Sequence, residues 1–445
     1  MAPVSLAAAQ DPNVQLVLDV LPALLAILAA AALCGRLATA IGQPRVVGEM
    51  VAGIVLGPTL FGRLLPDAQQ SLFSPSVKPV LYVLSTIGLT LFMFLVGLGL
   101  DHERAPRGHR RTATMLAISS IIPALLLGGA VGLLFHRELS RSDVGPWTFA
   151  FFVGGALAVT AFPMLARLLY DQRLERSPIG VLALLAAAVD DAVAWCFLAL
   201  LVAFHSNAGL LDGVLTLVLS AAFAALVLTL GRRLLRPLGE RVRRQGDLTS
   251  PQFLLLLLIV LAAGWFTEEI GVYAVFGGFI IGLAMPRDAA FQQAVRGRLL
   301  DVVQMLLVPV FFAFSGLNTR IEGVTEAATL LPLAALLIAA FVGKFSGCVA
   351  VMRGSGFSWR EASAMGALMN ARGLMILVFV NVGLAEGIIN QETFSLLVLV
   401  AVITSASAMP LLVLSVGREG AYGPPAPTDL TYREPQLADS HHRRE

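Results

Sequence analysis

The chain has 445 residues, of which 57% are hydrophobic and 13% are charged, with a formal net charge of +2. A soluble globular domain carries about 25% charged residues, so this composition excludes that class and predicts a polytopic membrane protein. The small net charge predicts no nucleic-acid partner. The three cysteines lie far apart in apolar segments and predict no disulfide framework.

Thirteen apolar segments follow one another, and we interpret each as a membrane-spanning helix because about 20 helical residues cross a bilayer. The predicted fold class is therefore all-α. The predicted spans are 14–37, 46–60, 79–100, 113–135, 147–169, 178–204, 209–230, 251–266, 273–285, 300–317, 327–352, 361–384 and 394–416. The short polar tail at 417–445 contains several prolines, and we expect it to be disordered.

Arginines are concentrated in alternate loops. The loop between the seventh and eighth spans carries six of them, between residues 232 and 244, whereas the loop after the fourth span carries only Arg137 and Arg141. Cytoplasmic loops are enriched in Lys and Arg. We therefore place the amino terminus outside the cell membrane and the carboxyl-terminal tail in the cytoplasm.

The order of the spans also suggests internal symmetry. Spans 1–6 and 8–13 would form two inverted six-helix repeats, and the mark of such repeats is a broken helix at matching places in the two halves. The fifth span is interrupted at 160–163 (TAFP), and its counterpart, the twelfth, at 370–373 (NARG). Such breaks free backbone carbonyls and half-helix ends that bind a cation and balance charge.

The sixth span carries two adjacent carboxylates, Asp190 and Asp191. A charged side chain at the bilayer centre costs at least about 2.5–3.5 kcal/mol, so each needs a partner or a use. Successive helical residues point about 100° apart, and we assign them different roles. Asp191 is predicted to bind the transported metal ion, Na⁺ or K⁺, or a proton in its place. Asp190 is predicted to pair with Lys344, one of two lysines among 31 basic residues.

The pair has two interpretations. It is either a permanent structural salt bridge, or it breaks when the cation enters and lets Lys344 release a second proton per cycle. Thr160 would add a hydroxyl ligand to the ion.

Four further polar or helix-breaking residues complete the candidate set. Pro163, Asn370 and Arg372 are expected to support the broken helices, the last two either structurally or by balancing charge. Glu49 in the second span either pairs with an arginine near the cytoplasmic side or lines an access funnel.

Five stretches resemble the signatures of one family. They are GEMVAGIVLGP at 48–58, TAFPMLAR at 160–167, DDAVAW at 190–195, PVFFAFSGL at 309–317 and NARGL at 370–374. Together they are similar to the monovalent cation:proton antiporters of the Kef-type branch, which includes plant CHX-like exchangers.

The resemblance implies a membrane transporter domain at 1–416 with thirteen helices, two of them discontinuous and crossed. It implies a homodimer in which a core part (113–204 and 327–416) moves against a dimerisation part (14–100 and 251–317), with a linker helix at 209–230. Asp191 matches the ion-carrying aspartate, and an aspartate before it together with a membrane lysine implies electrogenic exchange. We expect no carboxyl-terminal nucleotide-binding domain, which would set this chain apart from Kef channels.

The leading hypothesis is thus an Na⁺ or K⁺/H⁺ antiporter with elevator-type alternating access, with no cofactor. The alternatives are a K⁺ efflux channel or pore and an electroneutral K⁺/H⁺ exchanger. An enzyme is disfavoured because the spans contain no histidine pair and no Cys/His metal-ligand spacing. Spacing does not choose between Na⁺, K⁺ and Li⁺.

Overall fold

The structure, a computed structural model, describes residues 11–99, 107–141, 143–172, 174, 177–205, 210–317, 319 and 327–421, and within these ranges every regular element is a helix. The helices are α1 Pro12–Ala40, α2 Arg45–Leu56, α3 Phe61–Leu64, α4 Pro66–Leu72, α5 Val77–Gly99, α6 Arg107–Leu134, α7 His136–Leu139, α8 Pro146–Ala158, α9 Phe162–Asp171, α10 Pro178–His205, α11 Leu210–Leu226, α12 Arg232–Gln245, α13 Ser250–Glu269, α14 Ala274–Ala284, α15 Ala289–Val302, α16 Val308–Leu317, α17 Ala327–Gly354, α18 Trp359–Met369, α19 Gly373–Ala385 and α20 Gln391–Ala421. Two π-helical turns, Val227–Gly231 and Val303–Leu307, join α11 to α12 and α15 to α16. The all-helical fold class is confirmed.

Ten helical stretches of the described residues are long and apolar enough to cross a membrane, so the protein is a multi-pass membrane protein. Three shorter apolar helices, Pro146–Ala158, Ala274–Ala284 and Met375–Ala385, overlap the predicted fifth, ninth and twelfth spans. The ten longer stretches overlap the other predicted spans. The count of thirteen and the inverted repeats stay predictions.

Local sequence fixes the start of α18, the first half of the interrupted twelfth segment. Ser358 is its N-cap: its hydroxyl accepts from the Glu361 backbone N–H at 3.3 Å. In return, Glu361 Oε2 accepts from the Ser358 backbone N–H at 2.8 Å. This capping box satisfies donors that a helix start leaves free and sets where α18 begins.

Helix packing brings distant segments together. Helix α6 packs against α8 and α17, α5 packs against α14, and α2 packs against α1 and α16. The contact between α2 and α16 is backbone to backbone, since a Cβ added to Gly316 would lie 2.0 Å from the Gly53 carbonyl carbon. Small residues permit such close approach in membranes. The division into core and dimerisation parts stays a prediction.

The end of the chain departs from the predicted boundaries. Helix α20 continues to Ala421, and Gly417 (φ 78°, ψ 170°) interrupts its helical path. The rest of the predicted tail, 422–445, lies outside the described residues, as does residue 209 at the predicted start of the linker helix.

Candidate ion-binding site

Two interrupted helices meet at their breaks. Helix α8 ends at Ala158 and α9 begins at Phe162, while α18 ends at Met369 and α19 begins at Gly373. The N–H of Ala161 in the first break donates to the carbonyl of Ala371 in the second at 3.2 Å. This hydrogen bond places the half-helix ends of both segments around one point.

The first break differs from the prediction in position. The interruption covers residues 159–161, and Val159 is extended (φ −66°, ψ 136°). Pro163 is the second residue of α9, so the break is shorter than the predicted 160–163. The reason is that a proline has no N–H to donate and its fixed φ suits the first turn of a helix, where that donor has no intrahelical partner. Pro163 therefore begins α9. Its role in supporting the broken helix stays a prediction.

Arg372 holds the carbonyl end of α8. Its guanidinium donates through Nη1 to the carbonyl of Leu157 and through Nη2 to the carbonyl of Ala340 in α17, at 2.6 Å for the latter. The side chain is fully buried, and its Nε has no hydrogen-bond partner among the described residues. A cation is favoured at the carboxyl end of a helix, so Arg372 both satisfies the carbonyls and offsets the half-helix dipole.

The second break is held by two other side chains. Asn370 Nδ2 donates to the carbonyl of Gly366 at 2.8 Å, and Ser405 Oγ in α20 accepts from the Gly373 N–H at 2.9 Å. Within the described structure, Asn370 Oδ1 has no partner. Asn370 thus ends α18, and Ser405 caps the start of α19.

Asp190 lies in a polar cluster between α10, α6, the first break and α17. Its Oδ2 accepts from Ser120 Oγ at 3.0 Å and from Thr160 Oγ1 at 2.6 Å. Lys344 Nζ lies 3.3 Å from the same oxygen and also donates to Thr160 Oγ1. Asp190, Thr160 and Lys344 are all buried. The lysine charge and two hydroxyls therefore offset the charge of this carboxylate.

Asp191 has a different environment. It is fully buried. Neither carboxylate oxygen makes a hydrogen bond of normal distance and angle to any described residue. The backbone N–H of Phe162, at the start of α9, faces the carboxylate. A buried charge without a partner is unfavourable, so Asp191 needs either a proton or a cation. Its unpaired oxygens are hard ligands of the kind that alkali cations take.

Glu49 is away from the breaks in sequence and is held by its own helix. Its Oε1 lies 3.0 Å from Nε of Arg45, four residues earlier in α2, and the glutamate is 1% exposed. This is the contact that the arginine-pairing interpretation requires. No group of three or more His, Cys, Asp or Glu side chains forms a metal-binding cluster in the described ranges.

Sequence reasoning missed three residues around the site. Ser120 and Ser405 bind Asp190 and the Gly373 N–H, but a single serine in an apolar helix gives no signal, because its hydroxyl usually bonds to its own helix. Trp195 lies one turn after Asp191 in α10. It is 1% exposed, and its indole N–H has no described partner. Its position four residues after Asp191, on the same helix face, was the feature of the sequence that could have indicated it.

Half-helix ends that meet beside a buried, unpaired carboxylate, in a multi-pass helical protein, define a membrane ion transporter. The comparisons with known proteins agree. The chain belongs to the family described as sodium/hydrogen exchanger, transmembrane, which it matches over residues 25–414. The predicted family is confirmed. The family is one of transporters, so the expectation that the chain is not an enzyme also holds.

Individual proteins of known description are similar over most of the chain. The Na⁺/H⁺ antiporter NhaS4 of Synechocystis is 35% identical over 88% of this chain and 96% of its own length. Cation/H⁺ antiporter 20 of Arabidopsis thaliana is 34% identical over 83% of this chain, which spans 45% of that longer protein. The structure of the sodium proton antiporter MjNhaP1 from Methanocaldococcus jannaschii at pH 8 superposes with a TM-score of 0.62 at 15% identity, covering 88% of this chain and 96% of that one, and shows the shared fold.

Proposed function

We propose that the protein exchanges a monovalent cation, Na⁺ or K⁺, for protons, and that the two compete for Asp191. The observation that carries this proposal is the buried Asp191 carboxylate, whose oxygens have no full hydrogen bond to any described residue. A carboxylate in that position is neutralised by one proton or by one cation. Because the two occupants exclude each other, each can cross only when the other has left, which is antiport.

The surroundings of Asp191 provide the remaining ligands. Thr160 lies in the first break, where its hydroxyl donates to Asp190 and accepts from Lys344. The backbone at 159–161 and 370–372 lies outside the flanking helices. Carbonyl and hydroxyl oxygens complete the shell of an alkali cation. The Phe162 N–H, at the positive end of α9, stabilises the carboxylate between occupants.

Asp190 and Lys344 set the charge moved per cycle. With the cation at Asp191, the local positive charge rises, and Lys344 then releases its proton more readily. Two protons would cross against one cation, and the exchange is electrogenic. The permanent salt bridge is the alternative, in which Lys344 keeps its proton and no net charge moves.

Alternating access requires the site to face each side of the membrane in turn. We assign this motion to the core part moving against the dimerisation part of a homodimer, an elevator with thirteen spans in a cell membrane. The amino terminus then lies outside and the carboxyl terminus in the cytoplasm. This motion would break the hydrogen bond that Asn381 Nδ2 in α19 donates to Ser315 Oγ in α16, at 3.0 Å.

The test uses purified protein in proteoliposomes with an internal pH dye, to which Na⁺, K⁺ or Li⁺ is added. Asp191→Asn should bring cation-dependent proton movement to background for every cation. The matched control is Asp19→Asn, because Asp19 also lies in a membrane helix but is partly exposed and accepts a hydrogen bond from Gln15 at 3.0 Å. The control should keep the wild-type rate.

Normal exchange by folded Asp191→Asn would overturn the proposal, and folding is checked by a monodisperse elution profile and an unchanged melting temperature. Electrogenicity is tested separately with an imposed K⁺/valinomycin potential and Na⁺ as the exchanged cation. The wild-type rate should change with the potential. A rate that is indifferent to it would favour the permanent salt bridge.

A further inference from the structure

A cavity lined by four arginines lies away from the ion site. It has a volume of about 530 Å³ and is bounded by the π-helical turn, the first turns of α12 and the segment after α14. Its charged lining consists of Arg232, Arg233, Arg236 and Arg287, and its remaining lining is apolar apart from backbone and Thr229. Guanidinium groups gathered around one cavity repel one another, and an anion between them offsets that repulsion.

Three of these arginines, those of α12, have little acidic compensation in the described part of the chain. No aspartate or glutamate lines the cavity, and within the described ranges Arg232, Arg233 and Arg236 form no ion pair. By contrast, Arg298 on the neighbouring α15 pairs with Asp247 at 3.3 Å. The cavity therefore has an excess of positive charge. Its guanidinium groups can each donate two parallel hydrogen bonds to the oxygens of a phosphate group.

The walls of the cavity are fixed by packing. Gly239 of α12 lies against the segment after α14, where a Cβ added to it would be 2.5 Å from Pro286 Cβ. The π-helical turn Val227–Gly231 directly precedes the arginines, and such turns often occur at functional sites. The arginine side of the cavity is thus built on a rigid helix contact.

An apolar stripe runs beside the arginines on the same helical segment. Leu226, Leu230 and Leu234 follow at four-residue spacing and are 58%, 49% and 70% exposed. Residues four apart share one helix face, so these leucines form a surface for hydrocarbon next to the charged cavity. A free phosphate would use only the arginines, whereas a phospholipid uses both features.

We propose that this cavity binds the phosphate headgroup of an anionic phospholipid, whose acyl chains lie along Leu226, Leu230 and Leu234. Basic pockets between membrane helices recognise such headgroups. The loop charges predict that this side faces the cytoplasm. The site is independent of the ion exchange proposed at Asp191.

The test measures lipid binding to the purified full chain in detergent by native mass spectrometry, with dioleoyl-phosphatidylglycerol as probe and dioleoyl-phosphatidylcholine as reference. Wild-type protein should retain phosphatidylglycerol and not phosphatidylcholine. The triple variant Arg232→Gln, Arg233→Gln, Arg236→Gln should lose affinity by roughly a hundredfold. The matched control removes three arginines of the same helix that do not line the cavity, Arg241→Gln, Arg243→Gln and Arg244→Gln, and should bind as wild type does.

Three results would overturn the proposal: unchanged binding in the cavity variant, an equal loss in the control variant, or full displacement of the lipid by millimolar inorganic phosphate. The last result would assign the cavity to a free anion. Should the triple variant not fold, the single Arg236→Gln at the exposed rim is used, with an expected loss of about fivefold. Unchanged affinity in that folded variant would equally reject the lipid site.

Discussion

Lys344 Nζ lies 3.3 Å from Asp190 Oδ2, and neither side chain is exposed. The pair joins α17 to α10, and its two residues are 154 positions apart along the chain. Removing both charges from water is costly, and their attraction offsets that cost only while both partners are present. The pair therefore makes each partner depend on the other, whether or not Lys344 also moves a proton.

Replacing one partner of this pair should destabilise the protein more than replacing both. Lys344→Met leaves the buried Asp190 without its cation and should lower the free energy of unfolding by about 3–5 kcal/mol. The double variant Asp190→Asn, Lys344→Met removes both charges and should lose clearly less. Unfolding in detergent, followed by tryptophan fluorescence, gives the values for Lys344→Met, for Asp190→Asn alone and for the double variant. A double variant as unstable as the sum of the singles would show that the two side chains do not interact.

Arg372 should not be replaceable by lysine. Its two nitrogens donate to the carbonyls of Leu157 and Ala340, and the single ammonium of a lysine lacks the fork that reaches both. One buried carbonyl left unsatisfied costs about 1–3 kcal/mol, so Arg372→Lys should lower the melting temperature by several degrees. The matched control is Arg360→Lys on an exposed site, which should melt as wild type does. Equal melting of both variants would contradict this role.

Gly373 should not tolerate a side chain. Its φ is +40°, and an added Cβ would lie 2.4 Å from Met164 Sδ and 2.9 Å from Met164 Cβ. Gly373→Ala should therefore cost about 1–2 kcal/mol for the backbone alone and also separate the two breaks. Gly297→Ala is the control, because that glycine has open space around it. We expect lost exchange and a lower melting temperature in the first variant only; a fully active, stable Gly373→Ala would refute the close packing.

A covalent bond between α16 and α19 should stop transport. Ser315 Oγ and Asn381 Nδ2 are 3.0 Å apart, so Ser315→Cys with Asn381→Cys should cross-link under oxidation in a chain whose native cysteines have been replaced. Exchange should fall to background when oxidised and return on reduction. Each single cysteine variant serves as the control, and its exchange rate should be the same with and without the oxidant. Undiminished exchange by the cross-linked protein would exclude motion between these two helices.

Much of the fold and of the candidate site could be predicted from the sequence. The reason is that the bilayer restricts each membrane segment by itself, independently of how the segments pack. Long apolar segments must be helices there, and a charge inside one is so costly that Asp190, Asp191 and Lys344 are conspicuous without any structure. The interruptions near Thr160 and Asn370 were visible for the same reason, since polar residues rarely interrupt a span.

The tertiary structure alone decided which atoms meet. It places Asp190 with Lys344, Ser120 and Thr160, leaves Asp191 facing the Phe162 N–H, and directs Arg372 to the carbonyl end of α8. It also moves Pro163 out of the break and into the first turn of α9. These contacts join segments tens to hundreds of residues apart. They depend on how helices pack and rotate, whereas composition and spacing report only what each segment requires by itself.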